Sequence, residues 1–135
     1  LQIVAAVRGV ASGSFESYTA EHEGKSYEDP QLEELKQRLI EGRKRIQEAV
    51  QFAKSQATAF LDLAGRRLVD SAIIVIVGHL LLGQAAANDR KRRVARRFID
   101  TRMPLLEMNC RQILSGDTSP LDEYDVLAGP VPSLA

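Results

Sequence analysis

One cysteine, no tryptophan, 5% aromatic residues and a net charge of zero place several kinds of protein out of reach for this 135-residue chain. Cys110 alone can form neither a disulfide within the chain nor a thiolate cluster for zinc or iron–sulfur. It suits a reducing compartment, and the expected localisation is cytoplasmic. The balance of 18 basic and 18 acidic side chains excludes a chain that is basic throughout and binds nucleic acid by counterion release. No P-loop, nucleophile elbow, CxxC pair, dinucleotide-binding glycine fingerprint or signal-peptide pattern occurs, and there is no internal repeat. His22 and His79 have no Cys, Asp or second His at three- or four-residue spacing, so neither starts a helical metal pair. The adjacent pairs Glu33/Glu34 and Asp122/Glu123 face different directions on a helix and form no acid/base dyad.

What is present is a chain long enough for one domain, able to bury roughly two thirds of the surface its unfolded form exposes. Its charge is segregated. Residues 1–34 carry two bases and seven acids, 35–62 six and three, 63–116 ten and four, and 117–135 none and four.

Leu1 to Ala11 place apolar residues at three- and four-residue spacing, giving a short helix over residues 1–13 that continues from an upstream domain; a start on Leu rather than Met fits a piece of a longer protein. Residues 14–30 have no sustained period, many acids and the breakers Gly24 and Pro30, and read as an acidic loop with at most one helical turn. Asp29-Pro30 is a helix start: the Asp accepts from free amides and Pro is tolerated at the first helical position. The stripe Leu32, Leu35, Leu39, Ile46, Val50, Ala53, Ala57 and Phe60 follows, with a gap passing Gly42. A break is expected between Ser55 and Thr58, with Gly65 as the alternative.

The uncharged run Ser71 to Asn88 is 18 residues long and touches the length of a membrane span. Gly78, His79, Gln84 and Asn88 dilute it, Asp70 stands at its start and arginines flank both ends, so it reads as a central bundle helix and not a span. Asn88-Asp89 opens a basic helix whose inner side is expected to hold Val94/Ala95, Phe98, Met103, Leu105/Leu106, Cys110 and Ile113/Leu114, with Pro104 kinking or dividing it and Gly116 stopping it. Residues 117–135, with three prolines and four acids, read as an extended tail. The fold class is therefore all-α: an antiparallel bundle of three to four helices over residues 31–116.

The cluster Arg90, Lys91, Arg92, Arg93, Arg96 and Arg97 is the strongest local charge feature. Guanidinium groups match phosphates bidentately, but no stacking aromatic stands beside them, so nucleic acid is not the expected partner. Arg90, Arg93 and Arg97 are candidates for contact with an anion or another domain, set against the ordinary alternatives of a solvated face or pairing with the acidic loop and tail.

Two stretches carry a family resemblance. LQIVAAVRGVASG resembles the sequence that follows the YEGTxQIQ-type motif of flavin-dependent acyl-CoA dehydrogenases, with Leu1-Gln2 in place of its final Ile-Gln. AGRRLVDSAIIVIVGHLLLGQA (Ala64 to Ala85) and DRKRRVARRFI (Asp89 to Ile99) resemble the extra C-terminal helical domain of longer bacterial members. The resemblance implies a parent that dehydrogenates acyl-CoA thioesters of fatty acid metabolism with FAD, using the motif's Glu as base. That Glu would lie five positions before Leu1. The implied function is an accessory C-terminal domain with a structural or oligomerisation role, holding no catalytic residue, cofactor or metal itself and inactive alone. Its implied partners are the upstream dehydrogenase domains and further copies in a homo-oligomer. The alternative is a free-standing helical interaction module.

Overall fold

The computed structural model describes residues 7–10 and 12–117, and the expected start of a helix before residue 7 and the tail from 118 onward lie outside them. Residues 7–10 are helical, followed by α1 (Ser14–Glu23), α2 (Pro30–Ser55), α3 (Thr58–Ala85) and α4 (Asp89–Leu114). No strand occurs among the described residues. Helices α2, α3 and α4 each pack on the other two, most extensively α3 on α4, and α1 lies against α2 and α3.

The acidic loop expected over residues 14–30 is largely α1. Gly13, at φ 93°, takes the left-handed turn that admits the helix, a conformation glycine adopts at little cost. Phe15 and Thr19 are buried four residues apart, and His22 continues the same face half-buried. Two of these three inward positions are polar, so an apolar-only period misses the helix. Only residues 24–29 remain outside helices.

The Asp29 side chain accepts from the Gln31 amide at 2.9 Å, with Pro30 at the first position, as the sequence led one to expect. The gap between Leu39 and Ile46 is filled by buried Gly42, which lets Met103 and Leu106 of α4 approach the backbone. Chain reversal occurs at residues 56–57, within the expected break; Gly65 lies inside α3, tight against Val7. Asn88 caps α4 by accepting from the Lys91 amide at 2.8 Å, and Gly116 turns the chain at φ 71°.

The expected inner face of α4 needs correction. Its buried stripe is Ala95, Ile99, Met103, Leu106, Cys110 and Ile113, whereas Val94 and Leu105 are exposed and Phe98 is half-buried. Of the two alternatives at Pro104, division does not occur: α4 runs unbroken through it. That residue sits on the solvent side, where the carbonyl deprived of its N–H can turn to water.

By length and composition α3 could cross a membrane, but half of its most apolar stretch is buried within the bundle. The other half includes Ile73 and Leu80, 50% and 46% exposed.

Candidate functional site

The basic cluster occupies the first half of α4, directly after its Asn88 cap. Arg90, Arg93 and Arg97 are all exposed and, with Asp89 and Val94, line one open concavity. Arg93 Nε meets Asp89 Oδ2 at 2.9 Å, and Arg96 lies 3.7 Å from Asp100, which also pairs with Arg38 of α2. Arg92 turns back to Asp29 Oδ2 at 3.1 Å. Arg90, Lys91 and Arg97 form no ion pair among the described residues. Among the described residues, the pairing expected between the basic helix and the acidic loop is made by Arg92 and Asp29. Glu23 of α1 turns instead to α2, where Arg43 donates through Nε and Nη2 to both of its oxygens at 2.9 Å; within α2, Lys36 donates to Glu33 at 3.2 Å and reaches back to the Lys25 carbonyl at 2.8 Å.

Beside the arginines runs an apolar groove between α3 and α4. One part is floored by Ile73, Val77, Phe98, Leu105 and Met108; in the other, Leu81 and Val94 lie beside Arg90. Val94 and Met108 are 49% and 53% exposed. Arg102 lies over the Phe98 ring at 5.6 Å. The sequence signalled the apolar positions but assigned Val94 and Leu105 to the core.

A second polar feature is internal. His79 on α3 is fully buried, and neither ring nitrogen has a hydrogen-bond partner among the described residues. Its ring stacks on His22 of α1 at 5.5 Å between centroids, and Tyr18 lies 4.8 Å from His22. Burial pushes the His79 imidazole down to about 4, and neighbouring His22 pushes in the same direction. The closest carboxylate influence, Glu23, is already committed to Arg43. His79 is therefore neutral at pH 7 and closed to solvent, a poor position for exchanging protons with a substrate.

Cys110 is buried too, and burial raises its thiol to about 11, which leaves almost no thiolate for nucleophilic attack. No group of three His, Cys, Asp or Glu side chains gathers for a metal among the described residues. A flavin needs a deep, mostly apolar slot with a few convergent polar groups. The grooves here lie open on the outside of the bundle, with exposed arginines for polar groups, and do not fit one.

The chemistry this surface offers is recognition: an apolar floor with a positive border. Comparison with known proteins places that surface in context. The family model described as acyl-CoA dehydrogenase C terminal matches residues 11–104. The crystal structure of an acyl-CoA dehydrogenase family protein from Porphyromonas gingivalis superimposes with a TM-score of 0.73 at 24% identity, covering 81% of this chain and 95% of that one. No curated protein matches the sequence. At that identity the crystal structure speaks for the fold, and the family model speaks for descent.

Proposed function

We propose that this chain, which belongs to the acyl-CoA dehydrogenase C-terminal family, serves as the accessory helical domain of an FAD-dependent acyl-CoA dehydrogenase and acts structurally. The observation that carries the reading is the family match, which runs from residue 11 to Pro104 and so takes in α1, α2, α3 and more than half of α4. The packing agrees with a supporting role. Three long helices close a core of their own and leave their most distinctive chemistry on the outside.

In this reading, removal of the α proton and transfer of the β hydrogen to FAD belong to domains outside residues 1–135, in a cytoplasmic homo-oligomer. This domain covers those domains or stabilises contacts between subunits. Expression of the chain alone tests the division of labour. Absorbance should show no bound flavin, and acyl-CoA should not be oxidised with an added electron acceptor. Stoichiometric flavin or turnover would overturn it.

A further inference from the structure

A bundle of three long helices has three outer grooves, and here each has a different character. The α2/α3 groove is occupied by the chain itself: α1 lies across it, burying Phe15 and Thr19. The α2/α4 groove is lined by Glu34, Arg38, Glu41, Arg45 and Glu107, charges of both signs suited to water. The α3/α4 groove is different, because its floor is apolar and nothing among the described residues covers it.

From Met108 to Val94 the exposed floor runs along α4 for about 20 Å, the length of roughly four helical turns. On α3 the matching positions Ile73, Val77, Leu80 and Gln84 recur at three and four residues, so the two helices present parallel ridges with a trough between them. A trough of that shape and length accepts one more helix, as ridges pack into grooves; a bilayer surface is flat and would leave its floor untouched.

The border decides the occupant's charge. Arg90, Arg97 and Arg102 flank the floor, and none has a carboxylate partner among the described residues. Asp70 is the acid lining the floor, and it leans on Arg66 at 3.9 Å on its own helix. A second copy applied groove to groove would bring another arginine border and no row of acids. We propose that the α3/α4 groove seats an amphipathic helix of about four turns, apolar on one face and lined with Asp or Glu along one flank, supplied by the dehydrogenase body of the same protein. The inference rests on the accessory-domain reading and adds to it the face and the chemistry of the contact.

Hydrogen exchange followed by mass spectrometry on the full-length protein, compared with the 135-residue chain alone, tests this. Amides of residues 73–81 and 94–108 should exchange about tenfold or more slowly in the full-length protein. Leu105→Glu, on the exposed floor, should abolish that difference while leaving exchange in the isolated chain unchanged. In an Arg97→Lys variant, carbodiimide should join residue 97 to an Asp or Glu outside residues 1–135. Protection confined to α1 or the α2/α4 groove would overturn the groove assignment and leave the accessory-domain reading standing. Protection of the groove in the isolated chain by raised protein concentration, or by phosphatidylglycerol vesicles, would assign it to a second copy or to lipid and overturn the proposal. A full-length protein with no dehydrogenase body would overturn both.

Discussion

His79 of α3 and His22 of α1 stack at 5.5 Å between ring centroids, with their planes 24° apart, and both imidazoles titrate below their ordinary value because burial disfavours the cation. Lys25 lies 3.4 Å from His22 Nδ1 and adds to the effect, and Lys36 of α2 acts on His79 in the same sense. Neutral rings suit this contact, since a proton on either would set a cation against the other ring and the nearby lysines.

The fold should therefore weaken in mild acid. In the unfolded chain His79 takes up a proton near pH 6.5, and in the folded chain only near 4. Stability present above 6.5 is lost as pH falls toward 4, by up to about 3 kcal/mol for His79. Urea denaturation between pH 7 and 4.5 should show the slope, and His79→Phe, which keeps a ring against His22, should flatten it. An unchanged slope in the variant would assign the acid sensitivity elsewhere. Glu33, held below the usual carboxylate range first by the Tyr27 amide and then by Lys36, acts only further into acid.

Gly78 and Gly83 lie on the same helix and should respond oppositely to alanine. A Cβ on Gly78 would stand 2.6 Å from Leu39 Cδ2 and 3.1 Å from Cδ1, a branched side chain fully buried in the core. Gly78→Ala should cost about 1–3 kcal/mol, after partial offset by alanine's better helix propensity. Gly83 has nothing within 4 Å of that position, and Gly83→Ala should stabilise by about 0.5–1 kcal/mol. Thermal melts of the two variants check the contrast in sign.

Glu23 fastens α1 to α2 through both of its oxygens. Arg43 is held above its ordinary value chiefly by that bond, so Glu23→Gln leaves a half-buried guanidinium without its anion. The expected loss is about 1–2 kcal/mol. Exchange of amides 14–23 should quicken more than exchange in α3. A uniform change across the chain would show that the pair does not govern α1 in particular.

Cys110 should be silent in the native protein. With its thiol raised to about 11 by burial, labelling by a disulfide reagent at pH 8 should be slow when folded and complete in denaturant. Prompt labelling of the folded chain would mean that the α4 stripe opens readily.

Most of the bundle could be read from the sequence because its punctuation is chemical and local. Asp29-Pro30, Asn88 and Gly116 each mark a helix end by a group that satisfies or releases backbone amides. Where α4 has apolar residues at neighbouring positions, 94 with 95, 98 with 99 and 105 with 106, two overlapping stripes are possible. Only the position of α2 and α3 selects Ala95, Ile99 and Leu106 for the core. That selection leaves Val94 and Leu105 outside and creates the groove, so one misassignment hid the candidate site. The histidine stack was hidden for another reason: its partners are 57 residues apart, and α1 carries a polar inward face.

Asp29 uses its two oxygens for two helices: Oδ1 receives the Gln31 amide that opens α2, and Oδ2 meets Arg92 in the second turn of α4. Nucleating a helix is entropically unfavourable, because several residues are fixed before the first hydrogen bond forms. Here the carboxylate that assists that step in α2 is held in place by a side chain more than sixty residues later. Initiation of α2 and arrival of α4 therefore reinforce each other, and this end of the bundle should form and melt as a cooperative unit.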